Sequence, residues 1–106
     1  VGKLVYGSPE TEIEFEDRLL AHLQRAIIAK LRRGESFTIS WQEDKAQGGG
    51  RRTLWLHPAI PLQFVLDESE QPEFNRRWVE ALIVSGYSAH GLYLVPEPEP
   101  EPELAP

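Results

Sequence analysis

With 106 residues, 41% of them hydrophobic and 26% charged, the chain has material for one domain around one core. The absence of cysteine excludes disulfides, thiolate catalysis and cysteine-based zinc sites, and there is no apolar run of the ~20 residues that a membrane helix needs. The formal net charge is −6, and removing the four tail acids (Glu97, Glu99, Glu101, Glu103) takes the 17 acids to 13 against 11 bases, a balance that argues against a broad DNA-binding surface.

The opening VGKLVYGS has no apolar leader core, which together with the lack of cysteine fits a soluble, cytoplasmic protein. Residues 3 to 6 (KLVY) read as a short strand and GSPE as a turn. TEIEFE then alternates, Ile13 and Phe15 on one face against Glu12 and Glu14 on the other, so the two runs predict a β-hairpin with Lys3 across from a glutamate. From Glu16 onward, Leu20, Leu23, Ile27 and Leu31 recur at helical spacing. Glu16 and Asp17 stand at the positive end of this helix, Arg32 and Arg33 at the negative end, and Gly34 just beyond.

SFTISWQE alternates again, with Phe37, Ile39 and Trp41 on one face and Ser36, Thr38 and Ser40 on the other. DKAQGGG is a loop, RRTLWLH a strand that is apolar on both faces, and PAIP a break in pairing, since proline has no N–H to donate. LQFVL is a further strand and DESEQP a polar turn. A second helix is predicted from Glu73 to Ala89, with Pro72 at its entry, Phe74, Trp78, Leu82 and Ser85 inward, and Gly91 as its stop. LYLV is the last strand. The order ββαβββαβ predicts an α+β domain over residues 1–95: one mainly antiparallel sheet with both helices packed on one face. The other sheet face would carry Glu12, Glu14, Thr38, Ser40, Trp55, His57 and Tyr93. Residues 96–106, PEPEPEPELAP, predict an extended, disordered Pro-Glu tail.

The chemistry-bearing motifs are sparse. KAQGGGRR has lysine before the glycines and no helix after them, the reverse of a phosphate-cradling P-loop, so it reads as a hairpin loop. His22, His57 and His90 lack partners at metal-ligand spacing, and His22 is expected on the exposed side of the first helix. Ser85, Ser88 and His90 lie close in sequence but lack a G-x-S-x-G elbow and an orienting carboxylate. Glu12, Glu14 and Glu16 read as a solvated face with nothing to raise a pKa. Arginine is the preferred fork for phosphate. Arg18, Arg25, Arg32 and Arg33 stripe the first helix with His22, and Arg51 and Arg52 follow the glycines. These six are the candidate contacts to a DNA or RNA phosphate backbone, with Trp41, Trp55 and Tyr93 as stacking surfaces if exposed. The alternative is an ordinary solvated helix face with its tryptophans in the core.

The runs EIEFEDRLLAHLQRAIIAKLRRGESFTISW, LWLHPAIPLQF, NRRWVEALIVS and GLYLVPEP resemble a family of small actinobacterial proteins, commonly labelled ATP-dependent DNA ligase and otherwise treated as a domain of unknown function. The resemblance implies ATP and Mg²⁺ as cofactors and a lysine in a K-x-D-G motif that attacks the α-phosphate. The nearest match is Lys45-Ala46-Gln47-Gly48, with glutamine where the acid belongs. The residues themselves favour a non-catalytic binding or accessory module with no catalytic residue, metal or resident cofactor. Its expected partners are nucleic acid through the arginines and a protein through the tail, and no membrane.

Overall fold

A computed structural model describes residues 1–43, 46, 48–67 and 73–100. The elements follow the expected order: β1 (Gly2–Tyr6), β2 (Thr11–Phe15), α1 (Asp17–Arg32), β3 (Phe37–Gln42), β4 (Arg51–Leu56), β5 (Leu62–Val65), α2 (Arg76–Ser85) and β6 (Leu92–Tyr93). The chain is an α+β domain, and among the described residues all strand pairs except β3 with β6 are antiparallel.

The strands divide into two three-stranded sheets, ordered β2-β1-β5 and β4-β3-β6, where one sheet was the simplest expectation. The division falls at the proline break. Pro58 and Pro61 lie between β4 and β5, and the chain leaves one sheet and joins the other there. A hydrogen bond from Tyr6 Oη to the Trp55 carbonyl (2.7 Å) ties the first sheet to β4 of the second.

β2 and β3 bury the faces their alternation predicts, with Ser40 of β3 buried on the other face as well. Leu4, Ile13 and Phe15 meet Phe37, Ile39, Trp41, Leu56 and Leu92 in one core with Leu20, Leu23 and Ile27 of α1 and Trp78 and Leu82 of α2. Full burial of such a side chain contributes about 1.5–3 kcal/mol. Phe15 and Trp41 pack edge to face, 5.3 Å between centroids, and join the two sheets at their base.

α1 ends as its sequence predicts. Gly34 adopts φ 77°, its N–H bonds Leu31 O, and the Glu35 N–H bonds Lys30 O. These are the two bonds of a Schellman stop. α2 is shorter than expected. It begins at Arg76 because Asn75 is the better cap, its side chain accepting from the Arg77 N–H at 3.1 Å. It ends at Ser85 because that side chain turns to β6, accepting from the Tyr93 N–H and donating to Leu82 O. The glycines of the β3–β4 connection, Gly48, Gly49 and Gly50, all have positive φ, and Glu43 N–H closes the hairpin on Gly50 O.

Lys30 is buried although the helical pattern marks it as polar. Its ammonium bonds Glu35 Oε1 at 3.1 Å and lies 4.5 Å from the Tyr87 ring centroid. A side chain on Gly86 would fall 2.7 Å from that nitrogen, so the glycine at the end of α2 makes room for the lysine.

Candidate functional site

The six arginines named from sequence do not converge. Arg18 forks onto Glu97, Nε to Oε1 at 2.8 Å and Nη2 to Oε2 at 2.7 Å. The Arg25 guanidinium lies 3.6 Å from the Phe74 ring centroid, in a depression it shares with Arg32. Arg33 bonds Tyr87 Oη, and Arg52 bonds Glu43 Oε1, both at 3.0 Å. Arg51 and Arg52 are not a paired loop tip: they open β4, opposite Gln42 and Trp41 respectively, and therefore point to opposite faces.

The stacking surface is also divided. Trp41 is 9% exposed and belongs to the core, whereas Trp55 at 53% and Tyr93 at 44% stand on the outer face of the second sheet. Ser40, expected on that open face, is buried there, its Oγ 2.9 Å from Thr53 Oγ1. Lys45 and Gln47 lie outside the described residues.

His22 corrects the helical wheel. It is fully buried, because α1 packs against the α2 region as well as the sheets. Its ring sits 4.6 Å from Trp78 and 5.2 Å from Phe74. Its Nε2 accepts from the Asn75 N–H (2.9 Å), so the proton of the neutral ring is on Nδ1 and donates to Arg18 O (2.7 Å). Burial lowers the pKa below the ordinary 6.5, aided by nearby Arg18 and Arg25 and opposed by the Arg18 carbonyl and Glu97. A depressed histidine pKa contributes stability that is complete above 6.5 and lost as pH falls below it. Urea unfolding is expected to show stability falling as pH is lowered below 6.5, with a flatter profile in His22→Gln.

A groove of about 560 Å³ is lined by Glu12, Ile13, Glu14, Phe15 and Glu16 together with Trp41, Gln42, Glu43, Arg52 and Leu94. Successive strand side chains point to opposite faces, so a groove touched by a whole run of β2 residues follows the strand's edge. That edge is open among the described residues, where β2 pairs only with β1. Its bonding direction follows from the ladder. Gly7 N–H donates to Pro61 O on the β5 side, so by alternation odd residues of β1 face β5 and even ones face β2. Gly2, Leu4 and Tyr6 therefore bond Phe15, Ile13 and Thr11, and the N–H and C=O of Glu12 and Glu14 point to the open side. Four glutamates line the groove against one arginine, Arg52, which already holds Glu43. Lys3 stands opposite Glu14 in register and reaches Glu12 at 3.3 Å on the outer sheet face. The sequence shows the glutamate alternation, but the open edge and the wall across from it are products of topology.

A family model described as Domain of unknown function (DUF7882) matches residues 1–97. The chain belongs to this family. The match replaces the ligase-labelled resemblance: DUF7882 is not a family of DNA ligases, and nothing in the match ties this fold to nucleotidyl transfer. The ATP-dependent ligase reading and its ATP and Mg²⁺ fall with it. The DUF7882 span ends at Glu97, the carboxylate that Arg18 grips. No curated protein and no solved structure matches the chain. Among the described residues no helix is long and apolar enough to cross a membrane, and no cluster of His, Asp or Glu is arranged to hold a metal ion.

Proposed function

We propose that this domain is a peptide-docking module that takes an extended segment of a partner protein along the open edge of β2. The observation that carries this is the groove itself, an unpaired strand edge facing an aromatic floor and an acidic rim. A strand added to β2 would pair with the outward N–H and C=O groups of Glu12 and Glu14. Its side chains alternate in their surroundings. One set lies beside the Glu12 and Glu14 carboxylates, and the other beside Ile13, Phe15, Trp41 and Leu94. The partner is thus a segment of alternating basic and apolar residues. A second β2 edge is a poor partner, since it would bring glutamates together, and the acidic tail is repelled for the same reason.

The test is calorimetric titration of the full chain with an acetylated, amidated heptapeptide alternating lysine and valine. Saturable binding that weakens with added salt is expected. The Glu12→Lys/Glu14→Lys variant should bind about tenfold more weakly or worse. A peptide N-methylated on the residues that face β2 should not bind, because it cannot complete the ladder. Equal binding of the N-methylated peptide, or binding of a thymidine oligonucleotide with none of the lysine peptide, overturns the proposal.

A further inference from the structure

The chain leaving β6 does not run into solvent directly. Trp78 Nε1 donates to Val95 O at 2.8 Å, and the following residues cross the N-terminus of α2. There the Arg18 fork holds the Glu97 carboxylate, and the Asn75 side chain spends both its amide hydrogens on the tail. Asn75 Nδ2 donates to Glu97 Oε2 at 3.0 Å and to Pro98 O at 2.8 Å. Arg77 Nη1 reaches Glu99 O at 3.5 Å.

This is a built site. Asn75 is 4% exposed, and its orientation is set on every side: Oδ1 caps α2 through the Arg77 N–H, and its own N–H is held by His22 Nε2. The first turn of α2 has no acid and begins Arg76-Arg77, so helix dipole and side chains both favour an anion. A cleft of about 440 Å³ continues past Glu97, lined by Arg18, Phe74, Asn75, Arg76 and Pro100 and by one further carboxylate, Glu73, against the two arginines.

The polar contacts made to the tail are of two kinds: one glutamate carboxylate, and main-chain carbonyls around it. Proline on either side of the glutamate sacrifices none of them, since these contacts use no tail N–H, and it holds the backbone extended in advance. The same Pro-Glu unit recurs four times from Pro96 to Glu103. The cleft therefore reads a unit, and the covalent link through Val95 selects which copy fills it.

We propose that the cleft between the starts of α1 and α2 is a receptor for extended Pro-Glu-Pro segments, kept occupied in this chain by its own tail. An acidic, proline-rich segment of another polypeptide enters by displacing residues 96–100. Tethering gives the resident tail a high effective concentration, so a competitor in solution meets a closed site.

The experiment uses the full chain with all four tail glutamates replaced (E97Q/E99Q/E101Q/E103Q), which keeps the tail but removes the Arg18 fork. A synthetic peptide of sequence PEPEPEPE is titrated while tryptophan fluorescence and calorimetry are followed. Binding is expected to be at least about tenfold tighter than to the unaltered chain, to be lost when Arg18→Ala is added, and to be absent with the peptide PQPQPQPQ. No saturable binding to the folded quadruple variant, or equal binding of the glutamine peptide, overturns the proposal. If the quadruple variant fails to fold, the same titration of E97Q decides: tighter binding than to the unaltered chain supports the receptor, and no difference overturns it.

Discussion

Replacing Gly91 by alanine is expected to destabilise the domain by about 3–4 kcal/mol. Two costs combine. Gly91 sits at φ 76°, a left-handed conformation that costs an L-residue about 1–2 kcal/mol. The new methyl would also overlap Thr38 Oγ1 and lie 2.8 Å from the Thr38 carbonyl oxygen, and such overpacking costs about 1–3 kcal/mol. The hydroxyl belongs to a side chain, but the carbonyl belongs to the β3 backbone. Gly34 provides the control. It has nearly the same φ, 77°, with nothing within 4 Å of an added methyl, so Gly34→Ala should show the conformational cost alone. Urea titration of both variants separates the terms. Thr38→Ala in the Gly91→Ala background should recover only the hydroxyl's share. An equal loss in the two glycine variants contradicts the close approach of the turn to β3.

Asn75→Ala is expected to cost about 2–4 kcal/mol, with loss of the tail clasp as its signature. The helix cap accounts for about 1 kcal/mol. The rest comes from the two hydrogen bonds that Asn75 Nδ2 makes to the tail, one of them to the Glu97 carboxylate. Bonds from Arg18 and then Asn75 hold the Glu97 pKa down at about 2, against an ordinary 4.5. The sign follows from linkage: a depressed carboxylate pKa contributes stability that is present above 4.5 and lost as pH falls toward 2. In Asn75→Ala the Glu97 carbon resonance should titrate at a higher pH, with Arg18 still in place. The double variant Asn75→Ala/Glu97→Ala should lose less than the sum of the single losses, because the two residues share a bond. Additive losses would mean that Asn75 acts only as a cap.

How much of the candidate sites was legible differs between them. For the groove, the alternation of Glu12 and Glu14 against Ile13 and Phe15 was visible, as was the face Trp41 shares with Phe37 and Ile39, but not whether Trp41 is buried. Nothing local says that β2 is an edge strand, because edge and centre differ only in what lies beyond. For the tail cleft, Arg18 read as part of a basic stripe, and the Pro-Glu repeat as solvated by composition. A guanidinium and a carboxylate separated by most of the chain carry no local mark of their pairing. A short polar residue before a helical run was the one signal for Asn75, and Glu73 obscured it.

The sequence alone determined the order of elements, the Schellman stop of α1 and the glycine hairpin. It also determined the inward faces of β2 and β3 and the break at Pro58 and Pro61. These follow from short-range causes: the 2.0- and 3.6-residue periods, glycine's access to positive φ and proline's missing donor. Only the tertiary structure decided that the strands form two sheets, that β3 runs parallel to β6, and that His22 and Lys30 are buried. A helical wheel recognises one apolar stripe, whereas α1 is covered by the sheets on one side and by Phe74 and Trp78 on another. Its histidine and lysine are admitted to the interior because Asn75, Arg18 O and Glu35 satisfy their polar atoms. Those partners are assembled only when the chain folds.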